Sequence, residues 1–208
     1  MLRCRFACLA VAAFALLWSS GPSAMAEDNM APPGFTLLFN GKDLTNWDKD
    51  NDAETHWQII DGALEYDGKG KSLRTEKDYA NFELWVTWKI PPKGDSGIYL
   101  RGKPQVQIWE RPKIGSGGLF NNKKNPSKPL VVADNPPGEW NTFKIKIVDD
   151  VVTVYLNDKL VVDNTTLECY PKYDRKLPAT GRIELQHHGS KLWFKNIYIK
   201  ELPPTPEK

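Results

Sequence analysis

The chain has 208 residues, with 28 Lys and Arg against 26 Asp and Glu and a formal net charge of +2. A balance this even excludes a partner held by bulk charge, such as nucleic acid or an anionic membrane, because both select a net basic face. Two of the three cysteines, Cys4 and Cys8, fall at the extreme N-terminus, so no internal disulfide framework is available to the rest of the chain.

Residues 1–26 read as a secretory leader. Arg3 and Arg5 supply the positive start, Phe6 to Trp18 the apolar run and Ala24-Met25-Ala26 the small-x-small cleavage pattern. The apolar run is short for a membrane span, and Cys8 lacks the context of a lipoprotein cysteine. Cleavage after Ala26 is therefore expected, exporting a soluble chain to the periplasm or the exterior with no membrane insertion. Losing Arg3 and Arg5 leaves 26 basic residues facing 26 acidic ones, and Cys169 as the remaining cysteine.

Residues 27–202 are of single-domain length. Short apolar or alternating runs stand between Gly, Pro, Asn and Asp clusters, and no helical period is sustained. The first runs are GFTLLF, WQIIDGALEY and NFELWVTWKI. In the last of these Phe82, Leu84, Val86 and Trp88 form the apolar set, leaving Trp85 on the opposite face with Glu83 and Thr87. Beside Arg101 and Gln107, Trp85 is expected to line a groove.

Next comes SGIYLRGKPQVQIWE. Ile98, Leu100, Val106 and Ile108 point to one side by the period of two, and Tyr99, Arg101, Gln105, Gln107 and Trp109 to the other. Aromatic surface beside planar donors and acceptors is what a sugar ring requires, for its C–H faces stack while its hydroxyls need paired partners. The competing reading is an ordinary solvated sheet face. Glu110 has core parity, so either the strand ends or bulges there, or the carboxyl is buried with a raised pKa and a role.

The stretch from Arg111 to Asn141 is rich in turn formers and is expected to be an ordered, functional loop. Its GSGG lacks the Gly-Lys-Ser/Thr of a phosphate loop, and Lys123-Lys124 with Lys128 reads most simply as solvated, although Lys123 remains a substrate-binding candidate. In KIVDDVVTVYLNDKLVVD, the pairs Asp149-Asp150 and Asn157-Asp158 predict tight turns joining three antiparallel strands. Phe143, Ile145 and Ile147 share one parity, as do Val152, Val154 and Leu156. A one-sided apolar sheet needs a second sheet to cover it, so the chain is predicted to be an all-β, two-sheet antiparallel β-sandwich.

In GRIELQHHGSKLWF, Ile183 and Leu185 are core, and Arg182, Glu184, Gln186 and His188 lie opposite. Adjacent His187 and His188 cannot share a strand face, which rules them out as a metal pair. His188 suits acid–base work near neutral pH. Residues 203–208 bury nothing and are expected to be flexible.

The motifs GFTLLFNGKDLTNW, DSGIYLRGKPQVQIWE, GEWNTFKIKI, VTVYLNDKLVVDN and IELQHHGSKLWFKNIYIKEL resemble the 3-keto-disaccharide hydrolase domain family, in the family's order and across the mature chain. The resemblance implies a concanavalin A-like jelly roll and hydrolysis of glycosides oxidised to a ketone at carbon 3. It falls on Arg101, Gln107, Glu110, Gln186 and His188. The family often has an acidic residue where this chain has His187, which puts a role for His187 in doubt.

A ketone at carbon 3 acidifies the carbon 2 proton, so elimination across carbons 1 and 2 followed by hydration can cleave the glycoside without the two spaced carboxylates of ordinary glycosidases. That route needs a base, an electrophile at the ketone oxygen and an acid for the leaving oxygen. The expected roles are Arg101 as enolate stabiliser, and Glu110 and His188 as base and acid in undecided order. Gln107 and Gln186 bind hydroxyls, Gln105 and Lys123 also line the substrate, and Trp85, Tyr99 and Trp109 stack. No cofactor is expected, though a divalent cation could stand in for Arg101. The partner is an oxidised sugar or glycan, and oligomeric state is not legible. Two other function classes share these features: a non-catalytic carbohydrate-binding module, which would bind glycans without turnover, and an interaction domain whose polar face is covered by a partner.

Overall fold

The alternating runs become strands in the computed structural model, which describes residues 28–49 and 53–206. The leader expected over 1–26 lies outside the described residues. In chain order the elements are β1 (Thr36–Leu37), the single helical turn α1 (Ala53–His56), β2 (Trp57–Ile60), β3 (Ala63–Tyr66), β4 (Leu73–Arg74) and β5 (Phe82–Lys89). They continue with β6 (Asp95–Leu100), β7 (Gln105–Trp109), β8 (Asn141–Val148), β9 (Val151–Leu156), β10 (Lys159–Thr166), β11 (Ile183–Leu185) and β12 (Leu192–Glu201). Among the described residues no helix is long and apolar enough to cross a membrane.

Both predicted turns form. Val148 pairs with Val151 across Asp149-Asp150, and Leu156 with Lys159 across Asn157-Asp158. Asp149, Asn157 and Asp158 have φ of 53°, 49° and 61°, the left-handed region that Asn and Asp tolerate and tight hairpins demand. The strands assemble into two antiparallel sheets, one in the order β10-β9-β8-β5-β12-β3-β2 with β1 alongside β12, the other in the order β4-β11-β6-β7.

Their apolar faces meet. Phe82, Leu84, Val86 and Trp88 from the larger sheet, and Ile98, Leu100, Val106, Ile108, Ile183 and Leu185 from the smaller, are all buried in one core. Removing each such side chain from water contributes roughly 1.5–3 kcal/mol, and that interlayer contact fixes the two-sheet sandwich. After β12, the Pro203 carbonyl accepts a bond from Asn81 Nδ2 at 3.2 Å and the Thr205 hydroxyl donates to Asp149 at 2.7 Å. The chain is thus held as far as Thr205.

Candidate active site

The outer face of the smaller sheet carries three rows of side chains set by strand register. Asp95 pairs with Trp109, Gly97 with Gln107 and Tyr99 with Gln105 between β6 and β7. On the other side Tyr99 pairs with Glu184, and Glu184 with Arg74. The Gln186 N–H donates to the Gly97 carbonyl at 2.9 Å, carrying the pairing beyond the end of β11. One row is therefore Trp109, Asp95 and, two residues past Gln186, His188. The next is Gln107, Gly97 and Gln186, and the last is Gln105, Tyr99, Glu184 and Arg74.

Hydrogen bonds orient this face. Gln107 Nε2 donates to Asp95 Oδ1 at 2.9 Å and to the Ser96 carbonyl at 2.9 Å, groups that can only accept here. The Gln107 oxygen is thereby turned toward Gln105, whose Nε2 donates to it at 2.8 Å. Gln105 Oε1 then has no partner among the described residues, and the same holds for Gln186 Oε1, whose amide nitrogen donates to the Tyr99 hydroxyl at 2.6 Å. Both oxygens lie over Gly97, where an added Cβ would sit 2.4 Å from Gln105 Oε1 and 3.2 Å from Gln186 Oε1. The absent side chain lets both amide oxygens pack over the Gly97 backbone, two buried acceptors without a donor among the described residues, a pairing that hydroxyl groups of a sugar could complete once the amides turn outward.

Two residues from Gly97 on β6 stands Asp95, opposite Trp109 and absent from the candidates named from sequence. Burial raises its carboxyl pKa, opposed by His188, the Gln107 amide and Arg111. A carboxyl held closer to neutrality, with His188 and Arg111 in electrostatic reach, has the properties of an acid–base group. The signal was available: Asp95 shares the odd parity of Tyr99, Gln105 and Gln107. Arg111 also lies over the Trp109 ring, 5.4 Å from its centroid.

The predicted residues separate accordingly. The structure brings together Tyr99, Gln105, Gln107, Trp109, Gln186 and His188. It does not bring in Trp85, because β5 belongs to the larger sheet and its outward face is on the far side of the sandwich. There Trp85 packs against Phe35 at 4.8 Å, with Lys144 at 4.8 Å from its centroid.

Arg101 is also misplaced. Its φ of 53° ends the alternation, and Nη1 donates to the Ala179 carbonyl at 2.9 Å. The side chain lines a cavity with Asn81, Asp149 and Asp150 at the opposite end of β6 from Asp95. Burial pushes the guanidinium pKa down while Asp149 and Asp150 hold it up.

Glu110 keeps its core parity. The strand ends at Trp109, and no bulge returns Glu110 to the polar face. Its N–H donates to the Gly94 carbonyl at 3.0 Å and its carboxylate accepts the Lys93 N–H. His187, on the edge of the sheet, is hydrogen-bonded through Nδ1 to Ser72 at 2.8 Å.

The long loop walls the site. Gly117 and Gly118 bond to the Gln107 backbone at 2.8 and 3.0 Å, extending the sheet beyond β7. That close approach is the use of GSGG, since a Cβ on Gly117 would meet Val161 at 2.7 Å. Phe120 packs on Trp109 with centroids 4.4 Å apart, so Trp109 is a wall between Phe120 and Arg111. Lys123 lies over Tyr173, 4.2 Å from its centroid, on the rim.

Glu168 pins this rim by accepting the N–H groups of Lys123, Lys124 and Asn125 at 3.0, 2.8 and 2.7 Å. Burial works against the charged form, yet those backbone bonds hold the carboxyl pKa below its ordinary 4.5. The stabilisation is present above that value and lost as pH falls through the depressed one. Glu168→Gln is expected to destabilise the fold by about 1–3 kcal/mol in thermal melts at neutral pH, with the difference closing in acid.

Among the described residues no three His, Cys, Asp or Glu side chains cluster as a metal site. Residues 34–200 match the family model described as a 3-keto-alpha-glucoside-1,2-lyase-like domain. A 3-keto-disaccharide hydrolase from Bacteroides thetaiotaomicron is 25% identical over 252 residues, covering 90% of this chain and 87% of its own length. The crystal structure of a candidate glycosyl hydrolase from Parabacteroides distasonis is 28% identical with a TM-score of 0.71, over 85% of this chain and 100% of that one. A carbohydrate-binding module from Bacillus subtilis, 12% identical with a TM-score of 0.53 over 75% of this chain and 96% of its own, shares the fold. With a family match running from β1's flank to the end of the last strand, the chain belongs to the family of 3-keto-alpha-glucoside-1,2-lyase-like domains.

Proposed function

We propose that this protein cleaves glycosides whose sugar carries a ketone at carbon 3, by elimination across carbons 1 and 2 and then hydration, with Asp95 as the base. The observation that carries the reading is the row of Trp109, Asp95 and His188 beside the unpaired amide oxygens of Gln105 and Gln186. The family match and the hydrolase from Bacteroides thetaiotaomicron support the substrate class.

Carboxylate spacing favours elimination over displacement. Glu184 pairs with Tyr99, four residues along β6 from Asp95, which is about 13 Å at the backbone. Ordinary glycosidases need their carboxyls roughly 5–9.5 Å apart, and the Glu110 carboxylate is turned to Lys93. A single carboxyl suffices for the elimination.

The order of the row matches the order of the carbons. With the sugar's hydroxyls on Gln105 and Gln186, carbon 2 lies at Asp95, carbon 3 toward His188 and carbon 1 toward Trp109 and Arg111. Asp95 takes the carbon 2 proton, His188 donates to the ketone oxygen where enolate charge develops, and the carbon 1–oxygen bond breaks to leave a carbon 1–carbon 2 double bond. Asp95 hands its proton to the departing oxygen, which faces Arg111. Water then adds its hydroxyl to carbon 1 and its proton to carbon 2, giving the free 3-keto sugar. The leader pattern of residues 1–26 supports an exported protein as the setting for this chemistry.

Turnover of a 3-keto-glucoside in deuterated water is expected to release the aglycone and place deuterium on carbon 2 of the sugar. Release without that label would sink the elimination. Saturable glycan binding with no product would favour a carbohydrate-binding module instead.

A further inference from the structure

Just beyond Trp109, at the end of the sandwich, lies a cavity of about 200 Å3. Trp88, Ile90, Trp109, Pro112, Val132 and Pro136 supply the apolar walls that make up most of it, with Glu110, Arg111, Asp134 and Asn135 also lining it. Trp109 is common to this cavity and to the proposed catalytic row, because it pairs with Asp95 across β6 and β7. The cavity therefore begins where the row ends, on the carbon 1 side of the bound sugar.

Its size marks it as a place for a selected ligand. An apolar cavity of about 150 Å3 admits one benzene ring, whereas whole small-molecule sites start at about 300 Å3. This space takes one ring and no chain.

We infer that the cavity is the leaving-group subsite, and that it takes an aglycone with a single six-membered, largely apolar ring. The inference rests on the elimination reading above, because that reading directs carbon 1 toward Trp109. Apolar walls discriminate by excluding water from ring C–H surface, and a second hexose would lose the hydration of its hydroxyls against them. Such an enzyme would act after an oxidase or dehydrogenase that converts the carbon 3 hydroxyl of an intact apolar glycoside to a ketone.

The experiment compares methyl, cyclohexyl and glucosyl 3-keto-glucosides with the full protein. Methanol and cyclohexanol are alcohols of similar acidity, so their difference reads the pocket rather than the leaving group. Cyclohexyl is expected to exceed methyl by about 10-fold or more in kcat/KM, mainly through KM, and to exceed glucosyl as well. Val132 is 45% exposed, so Val132→Trp can fill the cavity from its mouth, and it is expected to bring the cyclohexyl-to-methyl ratio close to one. That ratio is insensitive to any loss of folded protein. Equal kcat/KM for cyclohexyl and methyl, a preference for glucosyl, or an unchanged ratio in Val132→Trp would overturn the subsite alone. No turnover of any of the three would overturn the reaction and the subsite with it.

Discussion

Asp95→Asn is expected to lower kcat on a 3-keto-glucoside by about 10²–10⁴-fold, the range over which a positioned acid–base group acts, while leaving the protein folded. Asn is nearly isosteric and its amide oxygen can still accept from Gln107 Nε2, which now donates to Asp95 at 2.9 Å. The amide cluster over Gly97 therefore keeps its arrangement, and KM is expected to move far less than kcat.

The pH behaviour separates a catalytic carboxyl from a structural one. Burial raises the Asp95 pKa from its ordinary 3.8, against the opposing pull of His188, Gln107 and Arg111. The wild-type rate is therefore expected to climb with pH through that raised value as the base form appears, and the residual rate of Asp95→Asn to lack this limb. Stability runs the other way. The folded state binds the Asp95 proton more tightly than the unfolded chain, so the wild type loses stability as pH rises from the ordinary carboxylate range through the raised pKa. Asp95→Asn escapes that loss, and its melting temperature at neutral pH should equal or exceed the wild type's. A variant with wild-type kcat would remove Asp95 from the mechanism.

The second large effect is expected from one methyl group. In Gly97→Ala the new Cβ would stand 2.4 Å from Gln105 Oε1 and 2.8 Å from its Cδ, both far inside contact distance. The obstruction is the tip of a side chain, so Gln105 can rotate away, breaking its 2.8 Å bond to Gln107. Losing that bond costs about 1 kcal/mol, and replacing a strand glycine by alanine regains roughly 0.5–1 kcal/mol of chain entropy. The two nearly cancel, and the melting temperature should barely change.

Binding has no such compensation. The methyl takes the place of the Gln105 amide over Gly97 and removes that acceptor from the proposed sugar face, so KM for a 3-keto-glucoside is expected to rise by about 10- to 100-fold, equivalent to roughly 1.4–2.7 kcal/mol. An unchanged KM in a well-folded Gly97→Ala protein would show that sugar does not lie on this face.

The sites of success and failure in the sequence reading have physical causes. Tyr99, Gln105, Gln107, Trp109 and Gln186 were legible because a strand's period of two is a local property, and they sit where alternation puts them. Arg101 failed because its φ of 53° ended the alternation one residue early, and nothing local to LRG announces that Ala179, far along the chain, waits to accept its guanidinium. Glu110 obeyed its parity and turned to the Lys93 N–H, against the role that the motif suggested. Asp95 was legible by the same parity, two residues before Gly97.

The amino-acid sequence by itself determined the in-and-out pattern of every long strand, the hairpin turns at Asp149-Asp150 and Asn157-Asp158, and hence an all-β sandwich. Those features depend on neighbours within a few residues and on the need to bury one face. Only the tertiary structure decided which sheet each strand joined. Trp85 and Gln107 both point away from the core, but β5 pairs with β8 and β12 in one sheet and β7 with β6 in the other, so the two side chains lie on opposite sides of the molecule. Alternation separates core from surface, whereas sheet membership comes from pairing between strands distant in the chain. That pairing is also what sets Trp109, Asp95 and His188 in one row.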